Sequence, residues 1–202
     1  STFVEPLTKN HDRSQFDCGV SSLNAYLQRQ ASQDQSRKVA SVFVSCFEAT
    51  LQVRGYYTLS SATISIDELS ERQQKKLPRY PHVPATLIGR LAVDKQTKGQ
   101  GLGSLLLLDA LARAHRASVT VASFAVTVDV LEVEPDPLKF YEQYGFTRVK
   151  SHPRQLYLPM ATIDKLVVDK NDPRPHSLGH PPVQLHIPGK TIMVSRGWRS
   201  HF

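Results

Sequence analysis

Apolar residues follow two rhythms along this chain, and the switches between them mark its elements. Phe3 to Thr8 reads as a first strand. From Gly19 to Asp34, Val20, Leu23, Leu27 and Ala31 recur at helical spacing, with Ser21 or Ser22 placed to cap the start. The runs Val39 to Phe47 and Val53 to Ile64 are rich in β-branched and aromatic residues, which predicts two successive strands in a meander or hairpin. Asp67 to Leu77 has helical propensity, and the proline-rich stretch Leu77 to Pro84 is a loop that cannot continue it. A strand from Leu87 to Asp94 follows, then a glycine-rich turn from Lys98 to Gly103. Next comes a helix striped by Leu105, Leu106, Leu108, Leu111 and Ala112. Phe124 to Val130 has the composition of a buried strand. Asp136 is placed to cap a helix with Pro137 at its first position; Gly145 ends it, and Phe140, Tyr141 and Tyr144 are expected inside. Arg154 to Met160 alternates as a last strand.

This order predicts an α/β fold: a mixed, largely antiparallel central sheet flanked by helices. Periodicity fades near Val168. Residues 1–168 therefore read as one domain, and 169–202, rich in proline and histidine and holding the one tryptophan, as an extension that is mobile or weakly docked. His176, His180 and His186 cluster there without the spacing of a metal site.

Composition narrows the class. With 202 residues, 40% hydrophobic and 21% charged, the chain has an ordinary globular balance and length enough for one sizeable core. No long apolar run or basic-then-apolar leader is visible, so neither a membrane span nor a secretory signal is expected. Cys18 and Cys46 lie apart and outside any ligand-like cluster, which predicts a reducing compartment, by default the cytoplasm, and no structural metal. The formal net charge of +7 favours an anionic partner; nucleic acid and simple solubility both account for the excess.

The candidate chemistry starts at the glycines. Gly99, Gly101 and Gly103 stand between a strand and a helix, and no carboxylate occurs from Lys95 to Ser104. Such a triplet serves either as a plain connection or as an anion cradle, in which backbone N–H groups meet a phosphate at the positive helix end. Gly-x-x-x-x-Gly-Lys-Ser/Thr is absent, and Gly-x-Gly-x-x-Gly fails because Ser104 would have to close it. Main-chain N–H groups near Leu91, Ala92 and Val93 are candidate oxyanion donors. Tyr141 is a candidate general acid, since an ordinary phenol, with a pKa of about 10, stays protonated at neutral pH. Glu132 and Glu134, which follow the buried strand, serve as bases or as plain loop charges.

The stretch K-G-Q-G-L-G after L-A-V-D resembles the Arg/Gln-x-x-Gly-x-Gly/Ala signature of the GNAT N-acetyltransferases, with Lys98 where the family usually has arginine or glutamine. The resemblance implies a sheet splayed at the acetyl-coenzyme A site. It implies acetyl-coenzyme A as co-substrate, with its pyrophosphate held at Lys98, Gly99, Gly101, Leu102, Gly103 and Ser104, and no metal. F-Y-E-Q-Y-G-F resembles the family's F-Y-x-x-x-G-F pattern, which implies that Tyr141 protonates the departing thiolate. A third motif narrows the resemblance. Phe16, Cys18, Gly19, Leu23, Asn24, Tyr26 and Leu27 are similar to the F-x-C-G-x-x-x-L-N-x-(W/Y)-L opening of the bacterial GNAT toxins of toxin-antitoxin modules. That implies acetylation of the α-amine of the amino acid on charged transfer RNA, and a block of translation. It also implies a ribbon-helix-helix antitoxin that brings operator DNA, and a homodimer.

An aminoacyl-tRNA substrate fits the chemistry: an α-amine has a pKa near 7.7 to 8.0 and a lysine side chain near 10.4, so an α-amine needs no strong base. Lys38, Arg79 and Arg90 are the candidate tRNA contacts, with an ion-pair role as the alternative for Arg90. A housekeeping N-acetyltransferase for a small amine or a protein N-terminus, and a non-catalytic GNAT-like binding module, remain as alternative functions.

Overall fold

The longest apolar runs pair edge to edge, and everything else packs on the sheet they form. The computed structural model of the chain describes residues 3–47, 49–167, 183–187 and 190–194. Seven strands make the sheet: β1 (Glu5–Pro6), β2 (Ser41–Cys46), β3 (Val53–Ser65), β4 (His82–Val93), β5 (Ala125–Asp129), β6 (Thr147–Arg148) and β7 (Gln155–Pro159). They lie in the order β1-β2-β3-β4-β5-β7-β6. Only β4 and β5 run parallel. The mixed, largely antiparallel architecture expected from the sequence is the one that forms.

Helices cover both faces. On one lies α4 (Leu102–Ser118), whose Leu106, Leu107 and Leu111 are buried against Tyr57, Ile88, Val126, Leu156 and Leu158. Each such leucine contributes roughly 1.5–3 kcal/mol through its removal from water. Also on this face are α5 (Leu138–Glu142), with Tyr141, and α6 (Met160–Val167), with Ile163. On the other face lie α1 (Ser21–Ala25), a π turn at Tyr26–Gln30 and α2 (Ala31–Ser36), which bury Tyr26, Leu27 and Ala31 against Val42, Val44, Tyr56 and Ala92. The short α3 (Glu71–Gln74) precedes β4.

One residue changes the geometry of β4. Thr58 pairs with Arg90 and Leu59 with Ile88, so Gly89 is an extra residue, a bulge, in β4. A bulge resets the two-residue alternation. Ile88, Leu91 and Val93 therefore belong to the α4 side, while Ala92 packs with Tyr56 on the other. A Cβ at position 89 would lie 3.1 Å from Thr58 Oγ1, so glycine suits the bulge.

The structure corrects several boundaries. The expected helix 19–34 is broken by the π turn, where the Leu27 carbonyl accepts from Arg13 Nη1 at 3.2 Å. Val20 is its N-cap, and neither Ser21 nor Ser22 caps it through a side chain. The expected helix 67–77 splits into a 3₁₀ turn (Ile66–Glu68) and α3, because Leu69 is extended and fully buried while the Ser70 N–H donates to Tyr157 Oη at 3.1 Å. Tertiary anchoring overrides propensity there. β4 starts at His82, so the end of the expected loop 77–84 is strand. The start of α5 shifts by one residue: Pro137 is its N-cap rather than its first residue, and Asp136, just outside the helix, accepts from Leu138 N–H at 3.1 Å. β6 and α6 have no counterpart among the sequence-predicted elements. Inside the expected extension, β8 (Val183–Ile187) and β9 (Lys190–Val194) form an antiparallel pair; its other residues, with His176 and His180, lie outside the described ones.

Candidate active site

The sheet opens beside the bulge. β4 pairs with β5 only from Ala85 to Ile88, opposite Ala125 to Val128; β4 then runs on to Val93 while β5 stops at Asp129. Between them lies a cavity of about 330 Å³. Ile88 to Val93 form one wall and Val128 to Leu131 the other; Phe140 and Tyr141 close the α4 side, and Cys18, Val20 and Leu23 line it as well. Because the Asp94 N–H donates to the Arg54 carbonyl at 2.8 Å, ladder alternation turns the Ala92 N–H to β3 and those of Leu91 and Val93 to the gap. Two of the three expected oxyanion donors thus face the opening.

The glycine turn sits at the cavity's end. Gly99 and Gly101 have φ of +78° and +82°, and a Cβ on either would meet nothing within 4 Å, so the space above the turn is open. Gly101 is the N-cap of α4, whose first turn carries no acidic residue, so the positive end of a 17-residue helix faces that space uncompensated. Leu102 is buried at the helix start, and Ser104 is half-buried beside it. Lys98 and Gly103 line the cavity. Lys98 has no ion pair among the described residues.

The N-terminal motif pins this turn in place. Asp17 accepts from Gly19 N–H at 2.8 Å, Asn24 Nδ2 at 2.8 Å and Lys95 Nζ at 2.8 Å. Asn24 Oδ1 accepts from Cys18 N–H at 2.9 Å. Buried Asp94 accepts from both Asp17 N–H and Gln96 N–H at 2.9 Å. Asp17, Gly19 and Asn24 thus hold Cys18, Val20 and Leu23 against the cavity. Sequence reasoning missed Asp94 and Asp17 as organisers, although Cys18, Leu23 and Asn24 lie in a motif it singled out.

Tyr141 is buried in the wall, its ring edge-on to Phe140 and Phe146 at centroid distances of 5.1 and 5.7 Å. Its hydroxyl has no hydrogen bond to any described residue. Burial alone pushes its pKa well above 10, so it is a proton donor and not a base at neutral pH. Among the carboxylates, Asp129 and Glu134 reach the lining and Glu132 does not.

Of the candidate tRNA contacts, only Arg90 lines the cavity. Its guanidinium lies 3.6 Å from the Tyr26 ring centroid, and it has no ion pair among the described residues. Lys38 is exposed at the exit of α2, and Arg79 is exposed before β4. From His82 to Ile88 the strand spans about 20 Å, so Arg79 is remote from the cavity. Among the described residues no cluster of metal-ligating side chains occurs, and no helix is long and apolar enough to cross a membrane.

Comparison with known proteins places this geometry in context. Residues 64–148 match the Acetyltransferase (GNAT) domain. The chain is 31% identical to a probable toxin TacT of Sinorhizobium fredii (strain NBRC 101917 / NGR234), over 81% of this chain and 94% of the relative. It is 32% identical to a tRNA-acetylating toxin of Mycobacterium tuberculosis (strain ATCC 25618 / H37Rv), over 78% and 92%. Among solved structures it is similar to AtaT complexed with acetyl-methionyl-tRNAfMet, with a TM-score of 0.76 and 30% identity over 82% of this chain and 99% of that one. It is also similar to a mutant AtaT toxin bound to the C-terminus of the antitoxin AtaR, with a TM-score of 0.68 and 28% identity, and to AtaTR bound with acetyl-coenzyme A, with a TM-score of 0.70 and 31% identity.

Proposed function

Because the chain belongs to the GNAT acetyltransferase family, among its tRNA-acetylating toxins, we propose that it acetylates the α-amine of the amino acid on charged transfer RNA and so blocks translation. It is an acetyl-coenzyme A-dependent N-acetyltransferase. One observation carries the reading: the opening between β4 and β5 sets free main-chain N–H groups and an unpartnered tyrosine hydroxyl around one cavity, next to the bare N-terminus of α4.

The residues present fit the co-substrate. Lys98, Gly99, Gly101, Leu102, Gly103 and Ser104 would hold its pyrophosphate, and the strand segment Leu91, Ala92 and Val93 its acyl end, with the N–H groups of Leu91 and Val93 aimed at the carbonyl oxygen. When bound, it supplies a thioester. The neutral amine forms a C–N bond at the thioester carbon, whose oxygen takes the negative charge and is stabilised by those N–H groups. On collapse the C–S bond breaks. Tyr141 gives its proton to the departing sulfur and regains one from solvent, while the nitrogen sheds its own to water or buffer. Burial raises the proton affinity of thiolate and phenolate alike, so the transfer stays near balance.

Arg90, Lys38 and Arg79 make the RNA contacts in this reading: Arg90 at the cavity, the other two along the outer body of the RNA. Partners are an antitoxin of ribbon-helix-helix type, through which operator DNA is bound, and a second copy of the chain. The compartment is the cytoplasm, where charged transfer RNA is found. Residues 1–168 form the catalytic domain and 169–202 an extension to it. Labelled acetyl-coenzyme A, offered charged transfer RNAs beside uncharged RNA, free amino acids and lysine peptides, tests the reading. Label on the aminoacyl group of charged RNA is expected. Label on small amines or peptides instead returns the housekeeping alternative, and no transfer at all leaves the binding module.

A further inference from the structure

Four observations meet at Tyr26. Its hydroxyl is buried and has no hydrogen-bond partner, the one buried side-chain polar atom so placed among the described residues. Burial, and after it the Asp34 carboxylate, which the hydroxyl approaches without reaching full hydrogen-bond geometry, pushes its pKa up to about 12, so it carries no charge at neutral pH. The ring lies parallel to that of Tyr56, 6.2 Å between centroids and 19° between planes. Tyr56 in turn donates its hydroxyl to the Leu23 carbonyl at 2.8 Å, so the stack is anchored to α1. On the ring lies the Arg90 guanidinium, at 3.6 Å. Finally, Tyr26 opens the π turn, a local irregularity that brings Tyr26, Leu27 and Ala31 all inward.

Both ring contacts of Tyr26 are made by its faces and not by its hydroxyl. One face fixes a guanidinium that no carboxylate or carbonyl among the described residues holds, beside a cavity wall of Cys18, Val20 and Leu23. An arginine fixed by stacking presents its N–H fork outward, unspent. We propose that Arg90, held on Tyr26, is a phosphodiester-binding subsite that seats the unpaired 3′ end of the RNA substrate, with Tyr26 as its positioning residue. This rests on the RNA-acetylating reading. The coenzyme's own phosphates are the other source of this chemistry. The glycine turn lies at least three residues further along β4, about 10 Å away, and on the α4 side, whereas Arg90 stacks on Tyr26 across the sheet. Tyr26 stands at the tryptophan-or-tyrosine position of the motif, and both side chains offer a strong cation–π face.

The test measures RNA binding directly, so that it does not depend on turnover. The probes are an RNA hairpin with an unpaired 3′ overhang and the same hairpin blunt-ended, titrated by fluorescence anisotropy across a salt series. The proteins are the parent, Tyr26→Leu, Tyr26→Phe and Arg90→Lys. The parent is expected to prefer the overhang. Tyr26→Leu and Arg90→Lys are expected to weaken overhang binding about tenfold, the size of a partly desolvated cation–π contact. Arg90→Lys keeps the charge and loses the fork. Tyr26→Leu frees the guanidinium and is expected to flatten the salt slope by up to about 0.7, the value for one single-strand phosphate. Tyr26→Phe restores most of the affinity. In turnover with charged transfer RNA, the Tyr26→Leu loss should fall on KM for RNA and not on kcat.

Equal overhang binding by Arg90→Lys and the parent overturns the subsite, even if Tyr26→Leu proves unstable. Tyr26→Phe as impaired as Tyr26→Leu overturns the positioning role, since the hydroxyl would then matter. Acetyl-coenzyme A affinity that falls in Arg90→Lys, with RNA binding unaltered, assigns Arg90 to the coenzyme and also overturns it. Absent acetylation of charged RNA by the parent, with overhang preference intact, removes the enzymatic reading and leaves the subsite standing.

Discussion

Tyr57 and Tyr141 are both buried tyrosines on the α4 side of the sheet, and their hydroxyls meet opposite fates. Tyr57 donates to the Asp109 carboxylate, which also accepts from Arg113 Nε at 2.8 Å. Arg113 continues to the Val4 carbonyl at 3.0 Å and lies 4.3 Å from the Phe43 ring centroid, so one network ties β2, β3 and the residue just before β1 to α4. Tyr141 donates to nothing described. A satisfied buried group fixes an arrangement; a hydroxyl that opens onto a cavity keeps its proton available to a ligand. The contrast separates the part of this molecule that is finished on folding from the part that is finished on binding.

The sharpest way to break that contrast is to remove the two hydroxyl functions separately. Tyr141→Phe should lower the transfer rate by about 10²- to 10⁴-fold, the usual worth of a general acid. Its melting temperature should hold or rise, because no hydrogen bond within the protein is lost. A rate within a few-fold of the parent, with acetyl-coenzyme A bound normally, would make Tyr141 a wall residue only. Asp109→Ala should do the reverse. It strands Arg113 and the Tyr57 hydroxyl in the interior, and losing one partner of a buried pair costs about 3–5 kcal/mol. Urea denaturation reads that loss; a midpoint like the parent's would show that the network is ornamental.

The glycine turn allows a finer separation. Gly101→Ala has room for its methyl but must hold φ of +82°, so it should cost about 1–2 kcal/mol of stability. At Gly103, outside the left-handed region, a Cβ would make ordinary contacts of 3.7 Å with Val93 and 3.8 Å with Phe140 at the cavity rim. Gly103→Ala should therefore fold as well as the parent and bind acetyl-coenzyme A about tenfold more weakly, as expected for one disturbed hydrogen bond to a charged group. Calorimetric titration beside a melting curve distinguishes them. Unchanged affinity in Gly103→Ala would mean that the glycine serves only the packing of helix on strand.

Much of this was legible in the sequence where the signal was local. The α4 leucine stripe, the long runs of β3 and β4, the glycine triplet and Tyr141 each lie in one short stretch whose pattern depends on its own periodicity. What the sequence hid is what depends on partners far along the chain. Leu69 breaks its helix because a pocket under Val83 and Tyr157 receives it. Gly89 is a bulge only because β3 sets the register. Arg90 was a candidate for its charge, but its seat on Tyr26 depends on a helix that packs across the sheet. Lys38 and Arg79 were chosen at expected strand starts; β4 begins earlier than its apolar run, and that leaves Arg79 most of a strand away from the cavity.

Asp17 stands between the two regions, and it gives the smallest and most selective effect. Its carboxylate is held down to a pKa of about 2, first by Lys95, then by the Gly19 N–H and Asn24, against an ordinary value of 3.8. A depressed carboxylate contributes its stability in full above the unfolded value, here near pH 4 and upward, and loses it as pH falls through about 2. The pair with Lys95 is half exposed, so its contribution is modest and screened by salt. Asp12, Glu68 and Asp136 are depressed as well, each first by a hydrogen bond it accepts, and they add to the loss of stability in acid. The informative quantity is therefore the difference in melting temperature between the parent and Asp17→Asn, followed from pH 6 down to about 2. Asparagine can still accept from Gly19 and Asn24 but has no charge for Lys95, so the difference should be constant near neutrality, shrink below pH 4 and close as Asp17 protonates. Because Asp17 holds the glycine turn to the α1 entrance, acetyl-coenzyme A affinity should follow the same curve. A difference independent of pH would assign the link to its neutral hydrogen bonds and remove the charge from the account.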